Sequence, residues 1–272
     1  KICEPFVTGD IKPHVFGDLI DDAYGNFGGS LAPVKRLNDD LHILDLSTGD
    51  SGAFKDYGLK LVGSLYGFLR QGKKRPLVVV GSTSGDTGAA AEYALRNQKN
   101  VAIVMFYPAE GMSSVQQMMM NRLQEPHIIN IALKTRFDPC QEMMKQVTAA
   151  LRSEYDVANV NSTAWPRPMA QVVYYFAAYF QVAEPGEHVA FAVPTGNFGD
   201  IYAGWLAKEM GLPISQLYLA TNENNMLVEL WNTGVYSKRT SVVTTSNSMD
   251  IQHANNFERL LCDVTGHDYD RI

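Results

Sequence analysis

Three stretches of this chain carry residue types that could do chemistry. "STGDSGAFKDYG" (residues 47–58) sets Lys55 behind a run of small, turn-forming residues and Phe54. "GSTSGDTGAA" (81–90) crowds Ser82, Thr83, Ser84, Asp86 and Thr87 among glycines. "PTGNFGD" (194–200) spaces Gly196 and Gly199 around Asn197 and Phe198. A lysine becomes a nucleophile only when part of it is neutral, which desolvation or nearby positive charge brings about. Phe54 and Ala53 offer apolar shielding, and Asp56 pulls the other way. Alone, Lys55 fits the commoner case as well: a snorkelling surface lysine such as Lys60.

The glycines of "PTGNFGD" let backbone come close to a ligand, and a following helix N-terminus suits a phosphate. The plainer reading is a strand-to-helix turn capped by Asn197 or Asp200, and the loop alone favours it. It matches neither the Walker loop nor G-x-G-x-x-G, so nucleotide binding gains no support. "STSGDTGAA" has the composition of a carboxylate cradle or of an over-capped helix. Its five polar side chains exceed what one cap needs.

These stretches need elements to position them. Short apolar runs read as strands at 41–46, 75–81, 101–108, 127–133, 157–162, 188–196 and 215–221. Helical stretches fall at 86–97, 112–123, 139–152, 168–182, 199–210 and 224–231, with one more beginning near Lys55. The alternation predicts an α/β fold: two lobes of parallel or mostly parallel sheet flanked by helices, with a ligand cleft between them. "NSTAWPRP" (161–168) breaks the pattern, so the expected lobes are 1–163, with Lys55 and the carboxylate loop, and 164–272, with the phosphate loop. The first thirty residues are weakly periodic and receive no element. Ligands of open parallel sheets sit at the carboxyl ends of strands. All three stretches follow an expected strand and enter an expected helix.

Composition narrows the classes. The net charge of −6 and the lack of Lys/Arg runs disfavour nucleic acid. No run approaches the ~18 apolar residues of a membrane span. Cys3, Cys140 and Cys262 are few and far apart, which suits a reducing, cytoplasmic setting rather than a disulfide framework. The six histidines are scattered without an H-x-x-x-H pair, so a metal site is not expected. No G-x-S-x-G elbow is present.

A lysine, a phosphate cradle and a carboxylate cradle are the parts that pyridoxal phosphate needs to act on an amino acid. In these residues the chain resembles threonine synthase, a pyridoxal-phosphate enzyme family of the tryptophan-synthase-β class (fold type II). The segments run in the family's order from about residue 40: "AFKD" (53–56), "TSGDTGAA" (83–90), "RFDPCQ" (136–141), "PTGNFGD" (194–200), "GLPI" (211–214), "SNSMDI" (246–251) and "NNFERL" (255–260). Their joint order makes the match specific, where "GNFGD" alone would not.

The resemblance implies that Lys55 forms the Schiff base with pyridoxal 5'-phosphate and, once freed, shuttles protons. It implies that Gly196, Asn197, Phe198, Gly199 and Asp200 hold the cofactor phosphate, with Asp86 nearest its 3-hydroxyl. Thr83, Ser84, Gly85, Asp86 and Thr87 would take the substrate carboxylate, and Arg167 the substrate phosphate. The implied reaction turns O-phospho-L-homoserine and water into L-threonine and phosphate. The alternatives are a related phospho-lyase or amino-acid dehydratase, or an inactive relative that only binds. The chain departs from the family at "TGDS" (48–51), where members read "HGPT", at "AEGMSS" (109–114), which lacks a basic residue, and at the prolines of "NSTAWPRP". Members extend past both ends, so the resemblance implies that these 272 residues belong to a longer protein, as a monomer or homodimer.

Overall fold

The structure, a computed structural model, describes residues 1–25, 27, 30–135, 137–237, 239–268 and 270, with backbone only at 137 and 138. Arg136, the first residue of the "RFDPCQ" match, lies outside the described residues. The chain opens with helix α1 (Pro13–Tyr24) and the short strands β1 (Val34–Arg36) and β2 (His42–Leu44). Then come α2 (Lys55–Leu69), β3 (Leu77–Ser82), α3 (Asp86–Leu95), β4 (Val101–Pro108), α4 (Ser114–Asn121), β5 (Ile128–Leu133), α5 (Phe137–Leu151) and β6 (Asp156–Ala158). The last part holds α6 (Pro166–Val182), β7 (Val189–Pro194), α7 (Gly199–Glu209), β8 (Ile214–Ala220), α8 (Met226–Thr233) and α9 (Phe257–Val264).

β3 shows why its sequence is apolar at nearly every position. Leu77 and Val79 point into a cluster with α3 and α4, while Val78 and Val80 point into a second one with Cys140 of α5. A parallel strand covered on both faces has no polar side to display. Its sheet runs β5-β4-β3-β6, all parallel. β3, β4 and β5 step outward in chain order, and β6 returns to the other side of β3. The order therefore reverses between β3 and β6, and ligands of such sheets settle at the carboxyl ends beside that point. β7 and β8 form a second parallel pair.

Two features depart from the expected pattern. β1 and β2 pair antiparallel, in a small sheet of their own. α1 occupies part of the unassigned N-terminal stretch. Pro13 starts it at a position that needs no N–H, and Phe16, Leu19 and Ala23 bury one stripe. Prolines 166 and 168 likewise lie in the first turn of α6, where a missing N–H costs nothing. They start this helix rather than interrupt it. α6 is buried along most of its length and touches both α2 and α7. Among the described residues no helix is long and apolar enough to cross a membrane.

Candidate active site

Lys55 is the first residue of α2, and its amine lies 2.9 Å from Asp86 Oδ2. The side chain is only 14% exposed, with Nζ 4.8 Å from the centre of the Phe54 ring. Phe54 thus supplies shielding and also a weak cation–π contact. Burial pulls the Lys55 amine below its ordinary pKa. Asp86 opposes that fall, the Arg167 charge adds to it, and Asp200 opposes it further.

The acids beside Lys55 in sequence point elsewhere. Asp56 is fully buried and accepts from the Ser51 backbone N–H (2.9 Å) and the Ser51 hydroxyl (2.8 Å). Burial still pushes it up to about 6. Asp50, whose charge departs from the resemblance, pairs with Lys60 at 2.6 Å. The "STGDSG" run is therefore a turn folded back on the start of α2.

Asp86 begins α3 and gathers partners from distant parts of the chain. Its Oδ1 accepts from Gln116 Nε2 at 2.5 Å and Ser248 Oγ at 2.7 Å. Gln116 is held by a capping box with Ser113 at the start of α4. Ser248 lies in a 3-10 turn, Asn247–Met249. That turn is anchored by Asp250, whose carboxylate takes hydrogen bonds from Asn222, Asn224 and Thr244. A Cβ on Gly85 would stand 2.8 Å from Ser248 Oγ and 2.9 Å from Gln116 Nε2, so glycine there lets the network close. Burial alone would raise Asp86. Lys55, with the hydrogen bonds from Ser248, Lys55 and Gln116, outweighs it and holds the carboxyl below its usual range.

The other residues of this loop divide in two. Thr83 is buried, and its Oγ1 accepts from Gly85 N (3.1 Å) and Gly88 N (3.0 Å) while donating to Gly85 O (2.9 Å). Its hydroxyl shapes the loop instead of facing a ligand. Ser84 and Thr87 are partly exposed, and their hydroxyls bond to no described residue.

The loop after β7 is tied down on every side. Thr195 N donates to Ala220 O at 2.7 Å. Asn197 donates its amide to Ser162, and its Oδ1 accepts from Asn255 N at 2.8 Å. Both the backbone N–H and the side-chain amide of Asn256 donate to Asn197 O at 3.2 Å. Phe198, a non-glycine residue at φ +65°, is buried and turns the chain into α7. A Cβ on Gly196 would come within 3.0 Å of Ile251 Cδ1, and one on Gly199 within 3.2 Å of Asn256 Nδ2. No side chain caps α7. The N–H groups of Gly199, Asp200 and Ile201 thus have no intrahelical acceptor. The Asn197 side chain and the Asp200 carboxylate are engaged elsewhere, Asp200 with the hydroxyls of Tyr174 (2.5 Å) and Tyr175 (2.8 Å). What this loop has left for an anion is backbone.

Arg167 is 3% exposed and donates Nη1 to Val160 O at 3.0 Å. Its Nε has no partner among the described residues, and burial brings the guanidinium down to about 10. Its charge is felt at Lys55. Lys55, Asp86 and Arg167 therefore form one electrostatic neighbourhood. Gln116, Ser248, Tyr174 and Tyr175 had no assigned role from sequence. Gln116 carried a local signal, the Ser-x-x-Gln spacing of a capping box, and Ser248 lies in the matched segment "SNSMDI".

Comparison with known proteins follows the same residues. The family described as "Pyridoxal-phosphate dependent enzyme" matches residues 29–270. A threonine synthase of Methylobacillus glycogenes is 44% identical over 254 residues, covering 91% of this chain and 54% of that protein. One of Pseudomonas aeruginosa is 43% identical over 270 residues, covering 98% and 57%. The crystal structure of a PLP-bound threonine synthase from Brucella melitensis superimposes with a TM-score of 0.90 at 38% identity, over 97% of this chain and 57% of that one. The chain thus spans little more than half the length of the relatives it matches. With the match extending over most of its residues, the chain belongs to the pyridoxal-phosphate-dependent enzyme family.

Proposed function

We propose that this chain carries the cofactor-holding part of a threonine synthase, which converts O-phospho-L-homoserine and water into L-threonine and phosphate. The carrying observation is the shielded Lys55 amine, 2.9 Å from Asp86. The site fits pyridoxal 5'-phosphate on two further counts. The turn at Gly196 and Gly199 leaves little space for a side chain, and the start of α7, which no described side chain caps, offers N–H groups to a phosphate.

Lys55 would hold the cofactor covalently through Nζ, and the backbone of Gly196, Asn197, Phe198, Gly199 and Asp200 would hold its phosphate. When bound, the cofactor supplies an electron sink for carbanion chemistry at the amino acid. Burial moves the Lys55 pKa downward, toward the neutral amine that attachment and proton transfer both demand. Asp86 gives the ammonium form a partner, so Lys55 can carry a proton without drifting into solvent. Ser84 and Thr87 have free hydroxyls for a substrate carboxylate, with Thr83 and Gly85 shaping the loop behind them. Arg167 has donors left for an anionic substrate group. The same reading divides the chain into lobes at about residue 163 and places the protein in the cytoplasm, acting on a small amino-acid phosphate.

The test is product analysis with the full-length protein and added cofactor. Phosphate and threonine formed together from O-phospho-L-homoserine are the expected result. Ammonia and a keto acid would assign a lyase instead. No product of either kind would leave a binding protein.

A further inference from the structure

Asp200 is the odd member of the phosphate loop. An acid in the first turn of α7 favours the helix, but it competes with a phosphate for the same positive end. The structure shows how that conflict is contained. Two neighbouring residues of α6, Tyr174 and Tyr175, donate to the same oxygen, Asp200 Oδ1, at 2.5 and 2.8 Å. The Tyr175 hydroxyl also reaches Asp200 O at 3.0 Å. Adjacent helical residues do not share a face. Here the rings tilt together, with centroids 5.1 Å apart, to meet one carboxylate. Both tyrosines are almost fully buried. Gly204, farther along α7, clears their way: a Cβ there would lie 2.8 Å from the Tyr175 ring. The carboxylate is thereby drawn toward α6.

We propose that Tyr174 and Tyr175 are positioning residues for the cofactor phosphate: through Asp200 they fix the first turn of α7 and quench a negative charge where a phosphate is to bind. The inference rests on the cofactor reading above. The groups facing Asp200 are the two phenols of α6, and the charge that also reaches it is Lys55 of α2. Burial raises the Asp200 pKa, and the phenols and Lys55 pull against that rise. Burial, followed by the Asp200 charge, keeps both phenols protonated as donors.

The test measures binding rather than turnover, using the full-length apoprotein with pyridoxal 5'-phosphate and with pyridoxal, which lacks the phosphate. Attachment is read by absorbance and by borohydride fixation. In Y174F/Y175F the affinity for pyridoxal 5'-phosphate should fall roughly tenfold or more. Fixation of pyridoxal should stay near wild type. Adding D200N should restore most of the affinity. The milder Y174F and Y175F single variants should fall between, which keeps the test valid if the double variant folds poorly. Equal losses for both ligands, no loss for either, or no rescue by D200N would overturn the inference. Wild-type protein that fixes pyridoxal 5'-phosphate nowhere would overturn the cofactor reading and this inference together.

Discussion

Asp86 and Asp200 both stand in the first turn of a helix that follows a parallel strand, yet the protein treats them differently. Asp86 faces an ammonium and two further side-chain donors and is held below the usual carboxylate range. Asp200 is part-buried with phenols as its side-chain donors, and desolvation raises its pKa. A third acid, Glu92, has one weak donor, Asn130 at 3.4 Å, and a bare Oε1, and burial pushes it up to about 8. Position in a motif does not decide the charge of a buried acid. The donors around it do. Asp86 is thus the working counter-ion of Lys55, and Asp200 an anchor between α6 and α7.

The largest expected effect separates those two roles. Asp86→Asn removes the charge that favours the Lys55 ammonium, so the amine should titrate markedly lower than in wild type. The pH dependence of Lys55 acylation in the apoprotein reads this directly. Asp200→Asn should shift the same curve far less, because Asp200 does not touch Nζ and is the smallest of the charges acting on it. Equal shifts would erase the distinction.

Asp56 sharpens the comparison next. Its folded pKa of about 6 lies above its ordinary value of 3.8. A carboxyl raised in this way adds stability below pH ~4 and loses it as pH climbs through ~6, because the native state holds the extra proton. From pH ~4 to ~7 the wild type should therefore lose on the order of 2–3 kcal/mol that Asp56→Asn does not lose. Denaturant melts of both proteins at the two pH values check this. Parallel pH profiles would show that Asp56 is not buried in that way.

The smallest effect concerns Ser248. Ser248→Ala leaves Gln116 and Lys55 as the side-chain partners of Asp86 and should cost about 1 kcal/mol. In the Asp86→Asn background the same change should cost measurably less, since the two residues share one hydrogen bond. Strict additivity would place Ser248 outside the network.

Much of this arrangement is legible in the sequence because it rests on local rules. The run "LVVVG" announces a strand covered on both faces, and small residues after a strand announce a close turn. Phe54 and Lys55 sit together because they are neighbours in sequence. What escapes sequence reading is long-range or short-lived in pattern. Ser248 meets Asp86 across 162 positions, and no period encodes that. Tyr174 and Tyr175 look like the greasy face of a buried helix, and their hydroxyls matter only once α7 lies against it. β1 has three residues, too few for an alternation to show, and the antiparallel pairing of β2, which falls within the strand expected at 41–46, has no local signal. α1 has a stripe of only Phe16, Leu19 and Ala23 opposite the exposed Asp18, Asp21 and Asp22, too short a pattern to stand out. Asp50, in the "TGDS" departure from the family pattern, has its partner, Lys60, ten residues further on in α2, which the resemblance does not reveal.

The central claim is that Lys55 is the amine that takes the cofactor. Full-length protein should be loaded with pyridoxal 5'-phosphate, reduced with borohydride, digested and mapped by mass. The account predicts a single pyridoxyl adduct on the peptide containing Lys55, and none in a Lys55→Ala variant that melts like the wild type. Adducts spread over exposed lysines such as Lys73 and Lys99, or an adduct that survives in Lys55→Ala, would contradict it.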